Sequence, residues 1–391
     1  MTAHDLSALD AADPLARFRD AFDLPAGLVY LAGNSLGALP RAAAARVADV
    51  VSREWGQSLV HAWTDHDWIG APARTGGKIA RLIGAAAGEV IVADSTSANL
   101  FKLITAALCA APERATLLAV EGEFPTDLYV AQGALGLLGE GRRLQLVDRA
   151  GLADALDEDV ALLLLTHVHY KSSQVWDMAA ITARGRAAGA LVLWDLSHSA
   201  GVAPVDLNRS GADLAVGCGY KYLNGGPGAP AFLFVAQRHQ GRLVSPLSGW
   251  MGHARPFDFA EGYVPADGVG RFLCGTPPIL GLAALEAAID LLLQADLAAL
   301  ADKARRLGDV FLDLAAGACP GLERACPGPG EARGGHVALR HPRAQAVADA
   351  LAARGVVCDV RPPDLLRFGL SPLYVSFADV GRAVRALSEV G

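Results

Sequence analysis

Six short apolar runs recur between about residues 62 and 270, and helical stretches separate several of them. Runs in which nearly every residue is apolar are typical of strands buried on both faces of a parallel sheet. One helical stretch between them is MAAITARGRAAG (178–189). This alternation predicts an α/β fold with a large, doubly wound, mostly parallel sheet. The six runs are EVIVAD (89–94), ATLLAV (115–120), ALLLLTHV (161–168), ALVLWD (190–195), LAVGCG (214–219) and AFLFV (231–235).

The rest of the chain predicts further units around this sheet. A chain of 391 residues is long enough for more than one domain. Residues 1–60 are expected to form a helical arm that packs with the small domain and contains one Gly-rich turn, LAGNSLGALP. Residues 61–275 should form the large, ligand-binding domain. Residues 276–391 should form a connecting helix and a small C-terminal α/β domain with its own sheet.

Composition argues against several classes of protein. Apolar residues make up 52% of the chain, which argues against disorder, and a net charge of -7 without a basic block argues against a nucleic-acid partner. The most apolar helical stretch carries Glu286 and Asp290 on one face, which favours an amphipathic helix over a membrane span. No signal peptide is expected, and the six cysteines contain no C-x-x-C pair. Free thiols and a cytoplasmic location are therefore predicted.

Polar and aromatic residues follow several of the apolar runs. In an open parallel sheet, ligands bind beyond the carboxyl ends of the strands. Thr96 and Ser97 open a helix after the first run, where hydroxyls and free amides can cap the helix or bind an anion. Phe124 follows the second run and can pack in the core or stack on a flat ring. Asp195 ends the fourth run, and Lys221 follows the fifth.

Taken together, these side chains meet the needs of pyridoxal 5'-phosphate (PLP). The hydroxyls and helix amides would hold the phosphate. Phe124 would stack on the ring, Asp195 would pair with the pyridine nitrogen, and Lys221 would form a Schiff base with the aldehyde. Each residue alone has an ordinary structural explanation, such as a cap, a turn or a solvated side chain. The combination is far more specific than any one member.

The motifs around these residues resemble those of kynureninases, which are fold-type-I PLP enzymes of the class-V aminotransferase group. The resemblance runs nearly end to end, from LAGNSLG to SPLYVSF. The matching segments are GNSLG (33–37), TSANL (96–100), FPTD (124–127), HVHYKSSQ (167–174), DLSH (195–198), YKYLN (220–224), GWMGH (249–253) and TPP (276–278).

The resemblance implies a role for each matching residue. Lys221 would be the Schiff-base lysine that moves the α-proton, Tyr220 a proton donor and acceptor, and Asp195 the partner of the pyridine nitrogen. Ser35 and Arg367 would bracket the amino-acid end of the substrate, where an arginine can grip the α-carboxylate with two hydrogen bonds. The further cofactor contacts that the resemblance implies are Thr96, Ser97, Phe124, Thr126, Asp127, Ser172, His198, Tyr220, Trp250 and Thr276.

The resemblance also implies a reaction and an assembly. The reaction would be hydrolytic Cβ–Cγ cleavage of L-kynurenine to anthranilate and L-alanine in tryptophan catabolism, with 3-hydroxykynurenine as a second candidate substrate. Trp63 would form a wall around the aryl ring and favour unhydroxylated kynurenine. Trp250 and Thr276 would reach the phosphate from the other subunit, which implies a homodimer with shared active sites. A nucleic acid, a membrane and a metal ion are not expected as partners.

Other interpretations remain open at this point. Another class-V enzyme, such as a cysteine desulfurase or a small aminotransferase, is the nearest alternative. Desulfurases place a histidine directly before the lysine, where this chain has Tyr220, and neither Cys326 nor Cys358 has the expected surroundings of a reactive thiol. A PLP-binding protein without turnover would have lost Arg367 or Tyr220. A nicotinamide dehydrogenase would need a G-x-G-x-x-G turn after its first strand, which is missing here.

Some weaker signals have alternative explanations. His167 and His169 could both point towards a metal ion, but no third ligand lies nearby in the sequence. The sequence GGPG (225–228) lacks the Lys-Ser/Thr pair of a phosphate-binding P-loop, which favours a turn near the lysine. Ser173 stands where the family motif has glycine, and Thr276 replaces an asparagine of animal members. Both differences leave the aryl preference less well defined than the reaction.

Overall fold

The computed structural model describes residues 3–391, with side chains from Asp5 onward. The strands of this part of the chain form sheets of seven, four and two strands. The strands are β1 Val29–Tyr30, β2 Val90–Val92, β3 Thr116–Val120, β4 Arg143–Val147, β5 Val160–Thr166, β6 Leu191–Asp195, β7 Leu214–Gly217, β8 Phe232–Val235, β9 Glu323–Arg324, β10 His336–Arg340, β11 Val356–Val357, β12 Asp359–Arg361 and β13 Leu365–Gly369.

Helices connect most of these strands. Several begin at side chains that cap the free backbone amides of the first turn, as Ser95 and Asp296 do. The α-helices are α1 Ala3–Ala11, α2 Arg41–Asp49, α3 Gly56–Ser58, α4 Ala62–Asp65, α5 Ala71–Leu82, α6 Thr96–Cys109, α7 Pro125–Leu138, α8 Met178–Ala187, α9 Gln237–Gln240, α10 Ile279–Leu292, α11 Leu297–Ala318, α12 Ala344–Ala352 and α13 Phe377–Ser388.

The seven-stranded sheet confirms the predicted α/β fold. Its strand order is β2-β8-β7-β6-β5-β3-β4. Neighbouring strands from β7 to β4 run parallel, whereas β8 is antiparallel to both β7 and β2. The central strands are buried along their whole length. Each of the six predicted apolar runs contains one strand of this sheet.

Apolar side chains of the central strands enter two separate cores. Along β5, Leu163 packs into one core, and its neighbours Leu162 and Leu164 pack into the other. Side chains of α5, α8 and α10 complete the first core, and side chains of α6 and α7 complete the second. Each fully buried leucine contributes about 1.5–3 kcal/mol. Because helices cover both faces of the sheet, nearly every side chain of these strands is buried, and their sequences are continuously apolar.

The C-terminal residues form a second, smaller sheet of order β12-β13-β10-β9, in which all neighbours are antiparallel. The N-terminal arm joins this unit, because β1 pairs with β11 in parallel and α1 packs against α13. A division into an arm, a large domain and a small domain at residues 60 and 275 is consistent with these contacts and stays a proposal. Among the described residues, none of the helices combines the length and apolar character needed to span a membrane.

Candidate active site

The carboxyl ends of the parallel strands bring most of the predicted site residues together. β3 leads to Phe124, β6 ends at Asp195, and Lys221 follows β7. The register of the sheet places Thr166, the last residue of β5, directly beside Asp195. The site therefore lies at one edge of the large sheet, as expected for ligands of open α/β sheets.

Three predicted residues surround the amino group of Lys221. Its Nζ lies 3.0 Å from His198 Nε2, 5.9 Å from the centre of the Phe124 ring and 5.8 Å from that of Tyr220. The loop that carries Lys221 closes on itself, because Gly225 N donates to the carbonyl of Gly219 at 2.9 Å. Lys221 is thus held at a fixed point beside an aromatic face.

His198 is a neutral partner for the lysine. Burial lowers the pKa of His198 well below its usual value, and the positive charge of Lys221 lowers it further. A neutral imidazole has one acceptor nitrogen, and Nε2, 3.0 Å from Lys221 Nζ, is in position to take that role. The other nitrogen, Nδ1, is buried and has no hydrogen-bond partner among the described residues.

Three buried carboxyl groups, Glu123, Asp127 and Asp195, form what we call the acid cluster, and the charge of Lys221 acts on one of them, Asp127. Asp127 lies within hydrogen-bonding reach of Asp195, and burial together with the charges of Asp195 and Glu123 raises the pKa of Asp127 well above its usual value. Burial also raises the pKa of Glu123 to about 7, against hydrogen bonds from the Thr166 amide and hydroxyl. The cluster therefore keeps protons that isolated carboxyl groups would lose.

This arrangement fits PLP. One oxygen of Asp127 is buried without a partner, so the acid cluster has acceptor capacity left for a cationic ring nitrogen. Phe124 offers a partly exposed aromatic face next to the primary amine of Lys221. A flat, positively charged heterocycle with an aldehyde matches all three features. No group of three or more metal-ligating His, Cys, Asp and Glu side chains was found in the described part of the chain.

The predicted phosphate contacts lie at the start of α6. Ser95 caps this helix by accepting a hydrogen bond from the Ala98 amide at 3.3 Å, and Thr96 and Ser97 form the first helical turn. Thr96, Tyr220 and Thr276 line one cavity of about 490 Å³. In this structure Thr276 therefore lies near Thr96 and Tyr220 of its own chain, whereas the resemblance implied a contact with the phosphate in the other subunit.

A second cluster lies on the small domain and on the GNSLG turn, where Ser35, Asp359, Arg361 and Arg367 form what we call the basic cluster. Arg367 is fully buried. Its Nε donates to Asp359 at 2.7 Å, and its two Nη atoms donate to Asp359, to the Tyr170 carbonyl and to Ser35. Ser35 also donates to Asp359. The fork of Arg367 that was predicted to face a substrate is therefore occupied by Asp359.

The GNSLG turn connects the two ends of the site. Ser35 joins the basic cluster, whereas two residues later the amide of Gly37 donates to the Tyr220 carbonyl at 2.8 Å. A Cβ atom at Gly37 would come within 2.4 Å of the Lys221 carbonyl oxygen. Only glycine allows the turn to pass this close to the lysine loop.

Other predicted residues lie apart from this centre. Thr126 sits in the first turn of α7, one residue before Asp127. Trp63 packs edge-to-face against Trp68, with ring centres 5.5 Å apart. Trp250 is partly exposed and packs edge-to-face against Phe257, with ring centres 5.8 Å apart. Both tryptophans therefore pack against other aromatic side chains in this structure.

The two histidines weighed as metal ligands are used in local hydrogen bonds. His167 Nδ1 lies 2.9 Å from the Ser199 hydroxyl. His169 is bonded to the carbonyl of Gly122 at 2.8 Å and to Ser172 Oγ at 3.0 Å. Ser172, predicted as a cofactor contact, thus holds a loop histidine in this structure.

Sequence analysis did not identify Glu123, Asp359, Arg361 or His336 as members of the site. Glu123 directly precedes the stacking residue, which was a usable signal. Asp359 and Arg361 come together with Arg367 only through the pairing of β12 with β13. His336 is fully buried, with its ring centre 5.7 Å from that of His198.

Solved structures show which enzymes share the fold of this chain. The C-DES protein, solved with glycine covalently linked to its PLP cofactor, superposes with a TM-score of 0.83 at 17% identity, over 95% of this chain and 99% of that one. The cysteine desulfurase of Thermococcus onnurineus gives a TM-score of 0.83 at 17% identity, over 96% of this chain and 97% of that one. The fold is that of the class-V group of PLP-dependent enzymes.

Sequence relatives define the family more narrowly. A kynureninase of Burkholderia pseudomallei is 47% identical over 100% of this chain and 95% of its own length, and one of Pseudomonas fluorescens is 46% identical over the same shares. Residues 300–387 match the model of the kynureninase C-terminal domain. The chain belongs to the kynureninase family.

Proposed function

We propose that this protein hydrolyses L-kynurenine to anthranilate and L-alanine with PLP as its cofactor. The observation that carries the proposal is the position of Lys221, whose amino group lies 3.0 Å from His198 and 5.9 Å from the centre of the Phe124 ring, and whose charge acts on Asp127 of the acid cluster. An amino-acid substrate needs a cation for its α-carboxylate at one end and a reactive amine at the other. Sequence identity of 46–47% to kynureninases over the whole length of this chain supports the same reaction.

In this proposal, the acid cluster, Phe124 and the first turn of α6 hold the cofactor. When bound, PLP supplies an electron sink for the carbanions that form at the substrate's carbon atoms. The carboxylate of Asp195 holds the pyridine nitrogen in its cationic form, and Asp127 supports it from the same cluster. Phe124 fixes the plane of the ring, and the first turn of α6 with Thr96 and Ser97 binds the phosphate.

Proton transfer falls to Lys221 and Tyr220. Lys221 Nζ would take the α-proton of the substrate and pass it to the cofactor, with neutral His198 as its hydrogen-bond acceptor. Burial raises the pKa of Tyr220, so its phenol keeps its proton at neutral pH and can donate it to Cβ of the substrate when the Cβ–Cγ bond breaks. The hydrolysis also needs a water molecule, which adds to the ketone carbon Cγ with the help of a general base and supplies the second oxygen of the anthranilate carboxylate. The basic cluster holds the α-carboxylate and thereby orients the Cβ–Cγ bond.

The nearest alternative, a cysteine desulfurase, needs a reactive thiolate. Burial raises the pKa of Cys326, and burial raises the pKa of Cys358 to about 12. Both thiols therefore stay protonated at neutral pH and are poor nucleophiles. Neither thiol therefore provides the nucleophile that a desulfurase needs.

A homodimer is part of the proposal. Large apolar side chains are exposed on the segment 51–60, including Trp55, Leu59 and Val60, and on the segment 244–264, including Phe257 and Phe259. Exposed apolar surface on this scale is typical of an interface. Contact across such an interface would give Trp250 a role in the neighbouring site. We also propose that the protein acts in the cytoplasm, which the free state of its six cysteines supports.

Two measurements test the function. Incubation with L-kynurenine should produce the fluorescence of anthranilate, and 3-hydroxykynurenine in a parallel reaction reports the aryl preference. The purified protein should be yellow, borohydride should bleach that absorbance, and Lys221→Ala should lose both the colour and the turnover. A colourless protein that still releases anthranilate would contradict the proposed role of the cofactor.

A further inference from the structure

The cavity at the start of α6, where the proposed function places the phosphate, contains a carboxylate. Asp94 lines this cavity of about 490 Å³ together with Thr96 and Thr276. Of the side chains that line it in the described part of the chain, Asp94 alone carries a formal charge. Its side chain is 33% exposed. A phosphate bound beside it would meet a like charge, which weakens binding unless a cation balances that charge.

The ammonium group of Lys102 supplies this cation from behind the cavity. Lys102 lies at the end of the second turn of α6, and its side chain has no solvent exposure. Its Nζ donates to Asp94 Oδ2 and, at 2.6 Å, to the Phe272 carbonyl. A lysine is seldom fully buried without a partner, because removing an unpaired ammonium from water is costly. The pairing with Asp94 therefore allows this charge to lie beside the apolar core that contains Phe272.

The backbone of Asp94 forms a turn that needs support. Its φ of 41° lies in the left-handed region, which residues other than glycine seldom adopt and which aspartate tolerates better than most. The turn directly precedes the cap of α6. Ala231 N donates to the Asp94 carbonyl at 2.9 Å, and Asn99 Nδ2 donates to the Ala93 carbonyl at 2.8 Å. The ion pair with Lys102 adds a third contact that holds this turn in place.

The same ammonium connects the turn to a segment far away in the sequence. Phe272, whose carbonyl accepts from Lys102, lies four residues before Thr276. Cys274 lies between them, and its Sγ is 3.5 Å from Asp94 Oδ2. Asp94 and Thr276 both line the cavity. Lys102 therefore fixes two walls of the cavity relative to each other.

We propose that Lys102 is a positioning residue for phosphate binding, which neutralises Asp94 and fixes the turn that precedes Thr96 and Ser97. It acts from behind the cavity wall and does not itself touch the cofactor. This inference rests on the proposed function and extends its cofactor site to two residues, Asp94 and Lys102, outside the predicted set.

The test compares the binding of PLP with that of pyridoxal, which has the same ring and aldehyde but no phosphate. Cofactor-free protein is titrated with each compound, and the absorbance of the bound aldehyde gives the dissociation constants. Lys102→Met, which keeps an unbranched side chain and removes its charge, should raise Kd for PLP by about 10- to 100-fold, the effect of one uncompensated charge near a phosphate. Kd for pyridoxal should change by less than about threefold.

Lys303 provides a matched control. It is also a buried lysine, with 6% of its side chain exposed, and it pairs with Asp13 of the N-terminal arm. In Lys303→Met the preference for PLP over pyridoxal should stay as in the wild type. An equal loss of that preference in both variants would overturn the inference, because the loss would then be a general effect of removing a buried charge.

Asp94→Asn tests the charge argument from the opposite direction. Asparagine keeps the shape of the side chain, tolerates a positive φ and can still accept from Lys102, but it removes the negative charge from the cavity. The preference for PLP over pyridoxal should therefore rise by about threefold or more. This variant carries the test if Lys102→Met does not fold, and an unchanged or lower preference would overturn the inference.

Failure of this inference can be distinguished from failure of the proposed function. Wild-type protein that binds neither PLP nor pyridoxal contradicts the proposed function itself. Wild-type protein that binds PLP, together with a Lys102→Met variant whose Kd for PLP is unchanged, contradicts this inference alone.

Discussion

The acid cluster and the basic cluster lie at opposite ends of one site and manage unbalanced charge in different ways. Glu123, Asp127 and Asp195 are carboxyl groups, and burial raises the pKa of the first two so that they keep protons. Arg361 and Arg367 cannot shed their charge, because a guanidinium stays protonated in proteins. The acid end adjusts by protonation, whereas the basic end can be balanced only by an anion. This difference matches a bound cofactor at one end and an exchanging substrate at the other.

The largest effect should come from removing the anion of the acid end. Asp195→Ala leaves the cofactor's ring nitrogen without its charged partner, and breaking a buried pair costs about 3–5 kcal/mol, which is about 10²- to 10⁴-fold in kcat/KM. Steady-state hydrolysis of L-kynurenine measures this loss. The exposed carboxylate of Asp290, paired with Lys78 on the surface, gives a control in Asp290→Ala. Near-normal activity of the Asp195 variant would contradict the role proposed for it.

The basic end should respond in stability. Asp359→Ala leaves Arg367 buried and unable to lose its charge, so the free energy of unfolding should fall by about 3–5 kcal/mol. Asp364→Ala removes a carboxylate from an exposed pair with Arg340 in the same sheet and should cost at most about 1 kcal/mol. Urea titrations of both variants supply the comparison. Similar values for the two would show that Asp359 does not compensate a buried charge.

The two ends also differ in how well the sequence predicted them. Phe124, Asp195 and Lys221 follow apolar runs, and the topology of a parallel sheet brings the ends of its strands together. These residues could therefore be placed from the sequence pattern and the family motifs. The position of Asp359 depends on the antiparallel register in which it faces Arg367. No local pattern specifies that register, so the occupied fork of Arg367 was not foreseen.

The prediction of strands from the sequence was limited in a similar way at one edge of the seven-stranded sheet. The six runs were recognised because their strands are buried and continuously apolar. One of them, β2, lies at an edge of the sheet and is still fully buried. Strand β4, Arg143–Val147, at the other edge, was missed because it is partly exposed and alternates polar with apolar residues. Likewise, Glu123 directly precedes Phe124 in the sequence, but its hydrogen bonds come from the Thr166 amide and hydroxyl on another strand. This part of its environment could therefore not be predicted from its neighbours in the sequence.

A pH experiment sharpens the account of the acid end. The pKa of Glu123 is raised from 4.5 to about 7, so the folded protein keeps a proton that the unfolded chain loses as pH rises. Between these two pH values, ionisation of Glu123 stabilises the unfolded state relative to the folded state. The contribution of this group to the free energy of unfolding should therefore fall by about 3 kcal/mol from pH 4.5 to 7 and then level off. Below pH 4.5 the carboxyl is neutral in both states and has no effect.

Glu123→Gln removes this titration and keeps an oxygen that can accept from the Thr166 amide. Unfolding free energies of the cofactor-free wild type and variant should therefore diverge as pH rises from 5 to 7, with the variant less sensitive. The difference between the two curves isolates Glu123 from other titrating groups. Parallel curves over this range would show that Glu123 ionises in the folded protein as it does in the unfolded chain.

The smallest effect should come from Ser35, whose hydroxyl contacts the basic cluster alone. It donates to Asp359 and lies 3.3 Å from Arg361 and 3.1 Å from Arg367. Ser35→Ala should loosen both guanidinium groups by about one hydrogen bond and raise KM for L-kynurenine by about fivefold, with kcat unchanged. Ser52→Ala, which removes an exposed hydroxyl bonded to the Ala48 carbonyl, should leave both constants unchanged. A fall in kcat at constant KM would instead assign Ser35 to the chemical step and remove the separation between the two ends of the site.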